Sequence, residues 1–187
     1  MTSRTAVLDA LLAVMARGGV SAVSVRSVAA EAGVSPATVQ YWFRTKSDLL
    51  TAALEHVNDR MEQRLSEVGL SGEPRRVLLD LLLAWFPLDE QRRADASAWL
   101  AFSAAAATDP RLRTLVIDND TATLQLLGDW LDAHRNELAL RIPPEAAASM
   151  LLASVDGFTV RALSHDDPSK ALADLESFLE LFTEGAP

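Results

Sequence analysis

Apolar positions recur at three- and four-residue steps along nearly the whole chain, the period of a helix that buries one face. Val7, Leu8, Leu11, Leu12, Val14 and Met15 trace the first such face, and Gly18-Gly19 supplies its stop. Ser24 is placed to cap a second helix that carries Val25, Val28 and Ala29 and ends at Gly33. Ser35 followed by Pro36 is a further start signal: the hydroxyl accepts an orphan amide hydrogen bond, and the ring occupies a position where no amide is needed. A short third helix is therefore predicted over Pro36 to Trp42. Thr45-Lys46-Ser47-Asp48 has the spacing of a capping box, opening a long fourth helix with Leu49, Leu50, Ala53, Leu54, Val57, Met61, Leu65 and Val68 on one face. Five more helical blocks follow: Pro74 to Phe86, Leu88 to Thr108, Pro110 to Leu138, Pro144 to Ser164 and Pro168 to Thr183. None alternates with the period of a half-buried strand. The fold class expected is all-α, with about nine helices: a three-helix N-terminal head over residues 1–46 and a helical body over 47–187.

Hydrophobic residues make up 49% of the 187, enough for a well-buried core, and no apolar run approaches the ~20 residues that cross a bilayer. The opening segment carries Asp9 within an amphipathic pattern and does not read as a secretory signal. A soluble, cytoplasmic protein with no membrane partner is expected. The absence of cysteine removes disulfides, thiolate nucleophiles and cysteine-based metal sites. The formal charge of −9 argues against a nucleic-acid binder until its distribution is considered. Residues 1–46 carry Arg4, Arg17, Arg26, Arg44 and Lys46 against Asp9 and Glu31, a balance of +3 that leaves −12 for the remainder. Such asymmetry is expected when one end of a chain meets an anionic partner and the other does not.

Short helices separated by a glycine turn are what a helix-turn-helix requires, one bracing on the DNA backbone while the next enters the major groove. Ser24, Arg26 and Ser27 lie at the start of the second helix, where hydroxyls, amides and the helix dipole favour a phosphate. Ser35, Thr38, Gln40, Tyr41 and Trp42 crowd the third. Gln40 has the paired donor and acceptor that read adenine, Thr38 suits a base edge or a thymine methyl, and Tyr41 suits a phosphate. Lys46 adds charge at the next helix start. The spacing alone is equally compatible with ordinary helical packing. However, SVRSVAAEAGVSPATVQYWFRTKSDLL, Ser24 to Leu50, resembles the tetracycline-repressor or TetR family, with Val25, Arg26, Ala29, Gly33, Val34, Ser35, Thr38, Phe43, Lys46 and Leu49 at matching positions. The resemblance implies DNA-contacting roles for Thr38, Gln40, Tyr41, Trp42 and Lys46, and core roles for Val25, Val28, Ala29, Val34, Val39 and Phe43. Gln40, Tyr41 and Trp42 replace the family's usual tyrosine, histidine and tyrosine, so base preference does not transfer.

In the body, PLDEQRRADASAWLAFSAAAATDPRLR, Pro87 to Arg113, and Ser154 to Phe158 resemble the BetI-type subgroup. By that resemblance the last two helices pair with their symmetry mates, and Met150, Ser154, Phe158, Arg161, Leu175, Phe178, Leu179 and Phe182 are the interface candidates for a homodimer. It also implies an effector cavity, with Trp85, Phe86, Trp99, Phe102, Trp130 and Phe158 as lining candidates and Asp95, Ser103, Asn119 or Gln125 as polar groups. The function implied is a transcriptional regulator, a repressor that binds a palindromic double-stranded DNA operator and is released by a small molecule. An enzyme is not expected: His56, His134 and His165 are isolated, no glycine loop cradles a phosphate, and no metal or cofactor is called for. The alternative is a helical ligand-binding or interaction module without specific DNA binding.

Overall fold

The structure, a computed structural model, describes residues 3–165 and 167–184. Among them are nine α-helices and no strand: α1 (Arg4–Gly18), α2 (Val25–Ala32), α3 (Pro36–Trp42), α4 (Lys46–Glu67), α5 (Pro74–Leu83), α6 (Glu90–Ala106), α7 (Pro110–Ala133), α8 (Pro144–Ser164) and α9 (Ser169–Glu184). The all-α reading with nine helices therefore holds. The capping signals also act as expected. Ser24 and Ser27 form a reciprocal box at the start of α2, Ser35 Oγ accepts from the Thr38 amide at 3.1 Å, and Thr45 Oγ1 from the Asp48 amide at 3.0 Å. Gly19 and Gly33 stop α1 and α2 with φ of 65° and 66°, positive values that cost glycine little.

Two helix ends differ from the sequence expectation. Beyond Leu83, α5 gives way to tight turns through Phe86, whose amide bonds to the Leu83 carbonyl at 3.2 Å just before Pro87. α7 stops at Ala133; the following residues turn back through Ala139, at φ 49°, although Leu138 remains buried and so kept the apolar period going. α8 is apolar enough in an 18-residue window, with a mean hydropathy of 1.3, to pass as a membrane span by length and composition alone. Asp156 and Arg161 interrupt it, so the expectation of no uninterrupted apolar run of that length stands. Its Ala147, Ala148, Leu151, Val155 and Ala162 are core residues.

Packing divides the chain into two compact units, and neither ends at residue 46. The first combines Met1–Glu62 with Ala94–Val116; the second combines Gln63–Arg93 with Ile117–Pro187. In the first unit Val7, Leu11, Val28, Val39 and Phe43 of the head share one core with Leu49 and Ala53 of α4 and with Ala98, Phe102 and Ala106 of α6. Phe102 is fully buried there. The second core gathers Leu78, Leu82 and Phe86, then Leu127 and Leu131 of α7, Leu151 and Val155 of α8, and Leu175 and Leu179 of α9.

Candidate nucleic-acid interface

The geometry of the head follows from a few polar contacts around α2 and α3. Ser27 Oγ donates to the Ala22 carbonyl at 2.8 Å, tying the start of α2 to the preceding 3-10 turn. The Val34 amide donates to the Ala29 carbonyl at 3.0 Å and closes the C-terminus of α2, so the chain enters α3 after three residues. On α3, Val39 is buried and Trp42 packs half-buried on the core. That orientation turns the opposite side of α3 outward: Gln40 is exposed and Tyr41 is 83% exposed, its ring 6.1 Å from that of Trp42 and edge-on to it. Thr38 is half-buried, its hydroxyl 2.9 Å from Ser35 Oγ, so these two expected contact residues first serve the helix start.

Electrostatics sharpen the positive balance of this region. Both of its acids are matched: Glu31 accepts from Arg17, and Asp9 from Arg60 and His56. The Arg17 guanidinium is held more firmly protonated by its hydrogen bond to Glu31 and by that charge. Arg26, Arg44 and Lys46 are exposed and make no ion pair among the described residues. Arg44 was missed as a candidate; it lies between α3 and α4, and the only sequence signal for it was its place in the basic segment. Arg4 lies with its guanidinium 5.5 Å from the Phe43 ring centre, the range of a cation–π contact. One acid stays at the α4 start: Asp48 accepts from the Thr45 and Arg44 amides at 2.9 and 3.0 Å, and hydrogen bonds from Thr45 hold its carboxyl below the usual range.

The other candidate residues are distributed over both units. Trp99 and Phe102 belong to the first core, whereas Trp85, Phe86, Trp130 and Phe158 belong to the second. Phe86 and Phe102 are fully buried fillers of their cores, with no face left for a ligand in this conformation. Trp130 stacks on His134 at 4.3 Å. Asp95, expected as a polar group of a cavity, is buried against Arg60 at 2.8 Å. A cleft of about 280 Å³ in the second unit is lined by Arg64, Glu67, Val68, Gly69, Asp80, Ala84 and Arg92, none of them among the expected residues. Of the interface candidates, Leu175 and Leu179 are 0% and 2% exposed and pack in the chain's own core. Met150 is 52% exposed, and Ser154 turns its hydroxyl to the Met150 carbonyl at 2.7 Å. Phe158, Phe178 and Phe182 form a half-buried ladder with ring centres 6.0 and 5.8 Å apart, and Arg161 pairs with Asp174 at 3.4 Å. Among the described residues no three His, Cys, Asp or Glu side chains cluster as metal ligands would.

Comparison with known proteins agrees with this arrangement. Residues 7–53 match the model of bacterial regulatory proteins of the tetR family, and residues 74–183 that of the C-terminal region of BetI-type transcriptional repressors. The HTH-type transcriptional regulator BetI of Paraburkholderia xenovorans (strain LB400) is 30% identical over 183 residues, covering 95% of this chain and 92% of that protein. A transcriptional regulator of Rhodococcus sp. Rha1 has a crystal structure that is 33% identical, with a TM-score of 0.84 over 99% of this chain and 98% of that one. A putative transcriptional regulator from Saccharomonospora viridis, solved in complex with choline, shares the fold at 23% identity, with a TM-score of 0.81 over 95% of each chain. With a helix-turn-helix head that matches one family model and a body that matches the other, this chain belongs to the tetR family of DNA-binding transcriptional regulators, with a BetI-type C-terminal region.

Proposed function

We propose that this protein is a repressor that binds a palindromic operator as a homodimer and leaves it when a small molecule binds the C-terminal region. The observation that carries the reading is the outward edge of the head, where Gln40 and Tyr41 stand exposed on α3, flanked by Arg26, Arg44 and Lys46. Gln40 is assigned to base reading, Tyr41 and Lys46 to phosphates, and Ser24 and Arg26 to the phosphate nearest the start of α2. Ser35, Thr38 and Trp42 set the pose of α3. Selection of duplexes from a random pool by the full-length protein, followed by footprinting, tests this directly. Lys46→Ala is expected to weaken all selected duplexes and to reduce the salt slope by about one, whereas Gln40→Ala is expected to change sequence preference. Unaltered affinity and preference in both variants would remove the assignment.

Support for dimerisation comes from α8 and α9, where Met150, Val160 and Leu181 remain exposed in the single chain. A two-fold pairing of these helices covers such a surface and presents two heads to two half-sites. Met150, Ser154, Phe158, Arg161, Phe178 and Phe182 are its proposed members. Light scattering at low micromolar concentration should give twice the chain mass, and a monomer would count against it. Choline is the first effector to screen, because the Saccharomonospora viridis regulator was crystallised with it. The protein is placed in the cytoplasm, where its operator would be.

A further inference from the structure

One polar cluster of the first unit is not used by the DNA-facing edge. Arg60 of α4 donates through Nη1 to Asp95 Oδ1 of α6 at 2.8 Å and through Nη2 to Asp9 Oδ1 of α1. His56, one helical turn earlier on α4, places Nε2 2.9 Å from the same Asp9 oxygen. The side chain of Asp95 is 3% exposed, that of His56 11% and that of Arg60 16%. These groups are therefore removed from water, where an ionised group requires charged and hydrogen-bonding partners. The three residues come from positions 9, 60 and 95, and the only helix of the head among their elements is α1.

We infer that Arg60 is a positioning residue for DNA binding: by holding Asp9 and Asp95 on one guanidinium, it sets where α1 of the head lies along α6. A planar fork with two donor edges can satisfy carboxylates on two helices at once, which a single ammonium cannot do with the same geometry. The apolar contacts between α6 and the head, Phe102 and Ala98 among them, tolerate small sliding, whereas the ion pairs specify a register. A shift of α6 either carries Asp95, Arg60 and α1 together or breaks the hydrogen bond between Arg60 and Asp95. The α6 helix thereby controls the pose of the head through a charge contact. This inference rests on the DNA-binding reading above for its functional consequence, but not for the contact itself.

The test uses full-length Asp95→Asn, Asp9→Asn, the double variant and Arg60→Lys, with circular dichroism to establish that each is folded. Asp95→Asn removes a negative charge, which by electrostatics alone strengthens DNA binding. Positioning requires the opposite sign: affinity for a duplex selected by the wild-type protein is expected to fall about fivefold. Asp9→Asn is expected to add little once Asp95 is replaced, because the connection is already cut. Hydrogen exchange gives a readout independent of DNA: amides of α1 should exchange faster in Asp95→Asn, although the substitution is on α6. Arg60→Lys should resemble Asp95→Asn despite conserving charge. Unchanged or tighter DNA binding by folded Asp95→Asn, or losses that simply multiply in the double variant, would overturn the inference. If the wild-type protein selects no duplex, the DNA-binding reading fails, and the exchange arm decides alone: unchanged protection of α1 overturns the positioning role.

Discussion

Helices α1 to α4 and the helices that follow them solve the same chemical problem with different groups. Every helix starts with amides that lack an intrahelical acceptor. In the N-terminal region the acceptors are hydroxyls: Ser3 for α1, Ser24 for α2, Ser35 for α3 and Thr45 for α4. Later in the chain they are carboxylates: Glu73 accepts from the Arg75 and Arg76 amides, Asp89 from Arg92, Asp109 from Arg111 and Asp167 from Ser169, all at 2.8 to 3.0 Å. Only α8, which starts at Pro144 after Pro143, has no side-chain cap among these. Serine and aspartate are about equally good caps, so folding does not demand the difference. Charge does. A carboxylate at a helix start uses up the positive end of the dipole and repels phosphate, whereas a hydroxyl leaves it available. The choice of cap is thus one local cause of the +3 and −12 partition seen along the sequence.

The comparison has a limit that a core substitution should expose. The caps and the DNA-facing edge belong to the first four helices, but the core beneath them does not. Phe102 of α6 is fully buried among head residues, and its truncation to alanine is expected to destabilise the protein by about 3–5 kcal/mol. Urea denaturation measures the loss, and hydrogen exchange locates it. The amides of α1 to α3 should lose protection in Phe102→Ala even though the substitution lies 60 or more residues away in the chain. Full protection of those helices would show that residues 1–46 form an autonomous domain, as the linear pattern of the sequence suggests.

A smaller effect separates folding from binding. Ser24→Asp keeps a competent cap at α2, and its stability should stay within about 0.5 kcal/mol of wild type. Its affinity for DNA should fall about tenfold, because a carboxylate then stands where a phosphate is proposed to sit. The reciprocal change, Asp109→Ser at α7, should leave both stability and DNA binding close to wild type. Equal DNA affinity in wild type and Ser24→Asp, measured by fluorescence anisotropy at fixed salt, would show that the hydroxyl caps of the head carry no electrostatic meaning.

What could be read from the sequence follows the range of each interaction. The caps at Ser24, Ser35 and Thr45 and the stops at Gly19 and Gly33 act over three to five residues, so their signals are contiguous and the nine helices were legible. The outward set Gln40 and Tyr41 was legible too, because α3 has one buried face, fixed by Val39 and Phe43. The Arg60 and Asp95 pair was not, since 35 residues separate its members and Asp95 alone looks like a polar group for a cavity. Nor was the burial of Leu175 and Leu179. On α9 the apolar stripe is wide enough to serve a core and a partner together, and periodicity does not divide it. The core that Phe102 enters was not legible for a related reason: an aromatic at helical spacing announces burial without saying which core it enters.

The smallest expected effect concerns acid. Hydroxyl caps do not titrate, so the starts of α2 and α3 should be indifferent to pH, whereas carboxylates that hold a helix start should not be. Hydrogen bonds from Thr45, then the Arg44 amide, lower the Asp48 carboxyl, and those from the Ser169 hydroxyl and amide lower that of Asp167. A carboxyl depressed in the folded state stabilises it above the ordinary aspartate value of about 3.9, and the contribution is lost as pH falls through the lower folded value. Both groups are exposed and solvent screens them, so the change is local loosening and not global unfolding. In an NMR titration the Thr45 and Ser169 amides should move with midpoints below the ordinary range, and the first turns of α4 and α9 should fray at still lower pH. The Ser27 and Thr38 amides, held by Ser24 and Ser35, should show no midpoint of their own. An ordinary midpoint at Thr45 and Ser169 would mean that those carboxylates are not holding their helix starts in solution, and the contrast between hydroxyl and carboxylate caps would then reduce to composition.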